Sequence, residues 1–426
     1  MEPDRLSLAA YVQLLRRNVN FRRLWLAQIV SEIGDWFYIL AIYSLLLGLT
    51  GKAQSVGLAV VLQVLPSTLV GPMAGVVNDR VSRRRIMIAA DVFRMVIVSG
   101  MMLVRSRQTV WLVYPLLFLE TVMWGFFEPA RNALLPNVVG EKDVLPANTV
   151  SAMTWSVNFA IGSGLGGLVA VLLGRDAVFV LNALSFLASA LLIGRMHVHE
   201  PHASGKAPFR LRELVDFSPI AEGVRYIRRD SRLLVTVLLK GGVGVLGANW
   251  VIFPIMGERI FPVRVAGLDA ARAAVLGMSL LMGARGIGAL FGPLAASRWA
   301  GGHGSRMRAG ILAAFFAGAV GYMSLSGAPN LALACAAVIL AHGGGSVVWV
   351  FSTTLLQRYA EDQFRGRIFA ADLGFCMLAI AVTSFLAGIA IDAGVGVRVV
   401  AFSTGVAMLL PVAAWFWALR LWREKT

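Results

Sequence analysis

An all-α membrane protein, with twelve transmembrane helices in two pseudo-symmetric six-helix halves, is the fold class this sequence predicts, on three observations. The 426-residue chain is 58% hydrophobic and only 15% charged, with a mean hydropathy of +0.74, too little polar surface to cover a water-soluble globule. About a dozen apolar stretches of roughly 17 to 26 residues recur along it, the length a helix needs to cross a hydrocarbon core about 30 Å thick. Short loops rich in Lys and Arg separate them.

Taken in order, the hydropathy pattern puts spans near 24–48, 54–77, 86–104, 110–134, 148–172 and 177–194, then 233–257, 273–297, 309–327, 331–355, 368–392 and 396–419. The longest break, 195–232, divides a first half at 1–194 from a second at 233–426. It opens with His197, His199, Pro201, His202, Gly205, Lys206 and Pro208, which read as a solvated linker rather than a metal cluster. An amphipathic stretch follows at 211–229: Leu214, Phe217, Ile220, Val224 and Ile227 recur at three or four residues, as in a helix lying on the inner leaflet. The first 22 residues are polar and basic, and no apolar run with a small-residue cleavage site follows, so no removable signal peptide is expected. Cys335 and Cys376 lie in apolar segments without a partner pattern and are expected to be packing residues.

The formal charge of +16 raises the question of a nucleic-acid partner. Its distribution argues against one. With a cytoplasmic N-terminus, about 28 of the 39 Lys and Arg fall in cytoplasmic segments and about 8 outside, leaving Arg94, Lys240 and Arg285 within spans. Positive-inside bias therefore explains the excess, and an even number of spans puts both termini in the cytoplasm.

Motifs narrow the reading. Gly71-Pro72-Met73-Ala74 near the end of span two has a counterpart in Gly292-Pro293-Leu294-Ala295 near the end of span eight, a weak internal repeat. After span two, Gly75, Asn78-Asp79-Arg80 and Ser82-Arg83-Arg84-Arg85 resemble the signature loop of the major facilitator superfamily, with Ser82 in place of the usual glycine. Gly162-Ser163-Gly164-Leu165-Gly166-Gly167 resembles the antiporter motif of that superfamily's exporters, with Ser163 in place of proline. Asn20-Phe21-Arg22-Arg23-Leu24-Trp25, Gly34-Asp35-Trp36 and Glu128-Pro129-Ala130-Arg131-Asn132 resemble the branch that holds enterobactin exporters and macrolide efflux pumps. The resemblance implies a carrier that works by alternating access, with a site between its halves near the bilayer midplane. It also implies a cytoplasmic latch formed by Gly75, Asp79, Arg80, Arg83 and Arg84.

Ionisable side chains within spans cost roughly 2.5 to 3.5 kcal/mol each on insertion scales and usually face a cavity or a partner. Asp35 lies about 18 Å along a helix from Arg23, near mid-membrane, with Glu32 one turn earlier on the same face. Two carboxylates that close should repel, and they are the leading candidates for proton coupling. Glu120, where many exporters carry an arginine, is expected to attract a cationic substrate or pair with Arg94. Asp91 and Arg94, and likewise Glu128 and Arg131, are spaced as intrahelical pairs. Lys240 is expected to snorkel to the interface, Arg285 to meet an anionic group on substrate or lipid, and Asp372 to serve as a latch partner in the second half. Trp124, Asn158, Asn249 and Trp250 are candidates to line an amphiphilic cavity.

No phosphate loop, HExxH or G-x-S-x-G is present, so an enzyme is not expected, nor a cofactor or metal. The expected function is proton-coupled efflux of small amphiphilic molecules from a bacterial cytoplasm or inner leaflet, by a monomer in the inner membrane whose partners are substrate, protons and lipid. A lysophospholipid flippase-like carrier is the alternative.

Overall fold

The computed structural model describes residues 8–140, 143–200, 218–263, 268–301, 303–360 and 365–423. They form sixteen α-helices: α1 (Leu8–Arg17), α2 (Val19–Thr50), α3 (Ala53–Arg80), α4 (Arg83–Gly100), α5 (Val113–Val139), α6 (Val144–Leu173), α7 (Arg175–Gly194), α8 (Ser218–Ile227), α9 (Ser231–Val245), α10 (Asn249–Arg259), α11 (Ala270–Ala300), α12 (Gly304–Gly327), α13 (Leu331–Tyr359), α14 (Arg365–Asp392), α15 (Val397–Ala407) and α16 (Leu409–Arg423). Twelve stretches are long and apolar enough to cross a membrane, as expected from the hydropathy pattern; α9 with α10, and α15 with α16, each make one span.

Both breaks have local causes. Pro411 has no N–H to give the carbonyl four residues back, that of Ala407, and the last span divides at Met408. In the seventh span four glycines between Gly241 and Gly247 weaken the helix, and a 3₁₀ turn at Leu246–Ala248 interrupts it. Hydroxyls of α14 answer the main-chain groups around that turn: Thr383 Oγ1 donates to the Gly244 carbonyl and Ser384 Oγ to the Gly247 carbonyl, each at 2.8 Å. In hydrocarbon, where no water can do so, this keeps a broken helix tolerable.

The chain forms two compact units, Met1–Ile42 with Pro66–Asp216, and Tyr43–Leu65 with Phe217–Thr426. The sequence expectation kept all of 1–194 together; instead the hairpin between α2 and α3 belongs with the second unit. The reason is chemical. Asp392, ending α14, accepts from the main-chain N–H groups of Ala53 and Gln54 at 2.8 Å each, satisfying donors that open α3. Close packing adds to it, since a Cβ on Gly57 would lie 2.9 Å from the Ser384 carbonyl.

In the first unit, Leu14, Phe21, Leu24, Met87, Phe127, Leu134 and Met196 form a buried apolar cluster. It includes α1, a short amphipathic helix that the polar, basic reading of the N-terminus did not anticipate. In the second unit Ile227 of α8 packs with Leu233, Val237, Leu356 and Ile368. The amphipathic helix expected at 211–229 is seen as α8 over Ser218–Ile227; 201–217, with His202, lie outside the described residues. Both cysteines are free thiols.

Candidate functional site

The site begins in the spacing of α2. Trp25, Gln28, Glu32 and Asp35 stand three, four and three residues apart, so they share one helix face and make a polar stripe about 15 Å long. Trp25 Nε1 donates to Thr154 Oγ1 at 2.7 Å. Gln28 Nε2 donates to the Ser151 carbonyl at 3.1 Å and to Glu32 Oε1 at 2.8 Å. Asn158 Nδ2 donates to Glu32 Oε2 at 2.8 Å. Ser151, Thr154 and Asn158 repeat the same period on α6, so two polar edges face each other.

Glycines permit that approach. A Cβ on Gly162 would lie 2.8 Å from Trp36 Cβ, and one on Gly166 would lie 3.0 Å from Phe37 Cα; Gly167 is buried beside them. The antiporter-like motif therefore seats α6 on the segment of α2 that carries both carboxylates. From α5, Arg131 Nη1 donates to Gln28 Oε1 at 3.1 Å, while its Nη2 pairs with Glu128 Oε1 at 2.5 Å.

Next to the stripe lies an ionic centre. Arg94 Nη2 of α4 is 2.9 Å from Asp35 Oδ2 and 2.6 Å from Glu120 Oε1, and its Nη1 is 4.0 Å from Asp91 Oδ1. Phe186 covers one guanidinium face at 4.0 Å, a favourable seat for a cation out of water. Three carboxylates thus share one cation. The Asp91 and Arg94 side chains are 0% and 3% exposed and Glu120 11%, but Asp35 is 25% exposed. Asp35 is the accessible acid of the group.

This differs from the pattern anticipated at several points. Glu32 and Asp35, expected to repel one another, sit in separate networks, one of amides and one around Arg94. The short contacts of Arg94 reach α2 and α5 rather than Asp91 on its own helix. Lys240, expected to snorkel, is 1% exposed; its Nζ lies 3.4 Å from Asp372 Oδ2, donates to Thr353 Oγ1 at 3.1 Å and sits 3.6 Å over the Trp349 ring. A cation supplied with a carboxylate, a hydroxyl and a ring has no need to reach water. Asp372, proposed from sequence as a latch partner, is the acidic half of that buried pair.

Of the other latch residues, the surroundings of Gly75 and Asp79 lie outside the described structure, and Arg80 is half-buried. Arg83 Nη1 donates to the Ala133 carbonyl at 2.7 Å, and Arg84 Nε to that of Ile193 at 3.1 Å, so the basic residues meet carbonyls near helix C-terminal ends, where cations are favoured. Ser82, at the usual glycine position, donates to Glu200 Oε1 at 2.8 Å.

In the second unit the Arg285 guanidinium lies 4.2 Å over the Trp250 ring, which meets Tyr43 edge-on at 6.4 Å. Asn249 is buried and donates to the Leu246 carbonyl at the helix break. Trp124 is exposed on α5. Among the described residues there is no group of three side chains able to hold a metal. The Glu128–Arg131 pair stands as its spacing suggested, whereas the bond from Arg131 to Gln28 and the Lys240–Asp372 pairing escaped the sequence reading.

Comparison with known proteins adds the following. The model of a family described as a transmembrane secretion effector matches residues 11–425. A Bacillus amyloliquefaciens protein assigned provisionally as the bacilysin exporter BacE is 27% identical over 333 residues, 76% of this chain and 77% of that one. Macrolide efflux protein A of Streptococcus pyogenes is 25% identical over 225 residues, 52% of this chain and 54% of that one. The chain spans about half the length of several curated relatives it matches. The crystal structure of nucleoside transporter NupG superposes with a TM-score of 0.71 at 12% identity, covering 93% of this chain and 98% of that one, a likeness of fold alone.

Proposed function

We propose a function from one premise: the chain belongs to the transmembrane secretion effector family of the major facilitator superfamily, a family of transporters and not of enzymes. The protein is a monomeric exporter in the bacterial inner membrane, with both termini cytoplasmic, that expels small amphiphilic molecules in exchange for protons by alternating access. The observation that carries this reading is the partly exposed Asp35 at the end of a polar ladder, bound to an arginine that keeps Glu120 as a second partner. The names of the efflux-type relatives support the outward direction.

The chemistry follows from charge count. Protonating Asp35 removes one anion yet leaves Arg94 paired with Glu120, so the step orphans no buried cation, which would be costly. Release of the proton restores the Asp35–Arg94 bond. Each protonation state thereby favours a different packing of α2 against α4, and a cycle that loads Asp35 from one side and empties it on the other converts a proton gradient into motion. Glu32 has another task. Both its oxygens accept from neutral amides, so its charge is left to attract a cationic group on the substrate.

Proteoliposomes with an imposed pH gradient test this, using a macrolide and a dipeptide as probes. Wild-type protein should accumulate one of them, and a protonophore should abolish the accumulation. Asp35→Asn should still exchange substrate at equilibrium but fail to concentrate it. Undiminished gradient-driven accumulation by Asp35→Asn would refute the assignment.

A further inference from the structure

A groove in the second unit is unclaimed by the proposed transport site. Helices α11 and α12 both lie along α13 but meet each other only sparsely. The contacts with α13 are main chain to main chain: a Cβ on Gly288 would lie 2.4 Å from the Ile339 carbonyl, one on Gly292 2.5 Å from the Gly343 carbonyl, and one on Gly344 2.3 Å from the Ala314 carbonyl. Between the diverging helices is a cavity of about 550 Å³, walled by Phe291, Ala295 and Trp299 on one side and Ala313 and Ala317 on the other, with Val347 on its floor. The lining is almost wholly apolar. From Gly288 to Trp299 the groove runs about 16 Å along α11, roughly half of a 30 Å hydrocarbon core and so the depth of one leaflet.

Charge identifies which leaflet and which lipid. The mouth beside Trp299 opens where α11 ends and α12 begins, the stretch that carries Arg298 and Arg306. Arg306 shares the helix face of Gly310 and Ala313, and its Nη1 donates to the Trp299 carbonyl at 3.2 Å, which holds its guanidinium near the mouth. Residues 270–360 contain six arginines and not one Asp or Glu, so these helices bring no carboxylate of their own to the mouth.

We propose that this groove is a binding site for an anionic phospholipid of the cytoplasmic leaflet, with an acyl chain lying between α11 and α12 and the headgroup phosphate met by Arg298 and Arg306. The site rests on the membrane orientation given above, though not on the proton chemistry. An acyl chain there supplies the dispersion contacts that α11 and α12 do not make with each other, and the arginines complete it as anionic lipid is held at a basic rim. The small side chains are then what leaves room for it.

The full chain, purified in mild detergent, is titrated with phosphatidylglycerol and separately with phosphatidylcholine, and the bound lipid is read by native mass spectrometry. Wild-type protein should retain phosphatidylglycerol in preference, by roughly fivefold for each arginine engaged. Ala313→Trp places bulk in the groove at an exposed position and should lower that retention about tenfold; Ala295→Phe does the same from the opposite wall should the first variant fold poorly. The double variant Arg298→Gln/Arg306→Gln should bind both lipids equally. Equal retention of the two lipids by wild type overturns the proposal, as does full retention by both groove-filling variants. A wild-type dimer that Ala313→Trp converts to monomer would also overturn it, assigning the groove to a second copy. The measurement involves no transport, so it can fail while gradient-driven export stands, and the reverse.

Discussion

In the first unit Arg94 is shared by Asp35, Glu120 and Asp91, whereas in the second Lys240 and Asp372 stand one to one, both nearly inaccessible, with Thr353 and the Trp349 ring beside the lysine. The difference matters because a cation buried in a membrane protein has to stay paired. Where carboxylates outnumber the cation, one of them is free to gain and lose a proton. Where the ratio is one to one, protonating the acid leaves a lysine alone in a dry interior, at a cost of several kcal/mol. The first arrangement suits a switch and the second a fixed brace, even though both are buried ionic clusters in helical spans.

The largest effect is expected from Arg94→Met, which leaves three carboxylates without their shared cation. Thermal unfolding in detergent should show a loss of about 3 to 5 kcal/mol; a melting point equal to wild type would mean that those acids are already neutral and would end the contrast. Asp372→Asn should cost nearly as much, about 3 kcal/mol, by stranding Lys240. The double variant Lys240→Met/Asp372→Leu should return to within about 1 kcal/mol of wild type, since a buried pair is often worth little more than its apolar replacement. If the double variant remains as damaged as the single one, the pair is more than a brace.

Asp35→Asn should sharpen the comparison from the other side: gradient-driven export down at least about tenfold, or about 1.4 kcal/mol, with stability within about 1 kcal/mol of wild type because Arg94 keeps Glu120. Glu32→Gln should be milder still, preserving its bonds to Asn158 and Gln28 and raising the KM for a cationic substrate several-fold with kcat little changed. Smallest is Glu200→Ala, which removes the acceptor at the start of α4, where Glu200 Oε2 takes the Arg83 N–H at 2.7 Å; about 1 kcal/mol of stability should be lost and export should persist.

Much of the fold was legible because the bilayer enforces it. A helix of about 20 apolar residues is one of the few ways to hide main-chain polar groups in hydrocarbon, so the twelve spans follow from hydropathy, and the loop arginines follow from topology. The candidate site was legible in part. Glu32, Asp35, Arg94 and Glu120 declare themselves as charges where charges are expensive, and the stripe from Trp25 to Asp35 is written in its spacing. Of their pairings, Arg94 with Glu120 was anticipated and the others were not legible. Asp35 binds Arg94 across 59 positions of chain and Lys240 meets Asp372 across 132, separations at which helical periodicity carries no information.

By itself the sequence determined a membrane protein of twelve helices, the places where ionisable groups enter the hydrocarbon, and the glycines at which helices can close up, because each of these is set by local composition against a fixed solvent. Tertiary structure alone decided that Asp35 meets Arg94 and Asp372 meets Lys240, that the hairpin around Gly51 joins the second unit, and that α11 and α12 part to leave an apolar groove with Arg306 at its mouth. Those outcomes depend on how helix faces rotate and approach when distant segments pack. Dispersion contacts and a few buried polar bonds settle that rotation, and both are properties of pairs of helices rather than of any one of them.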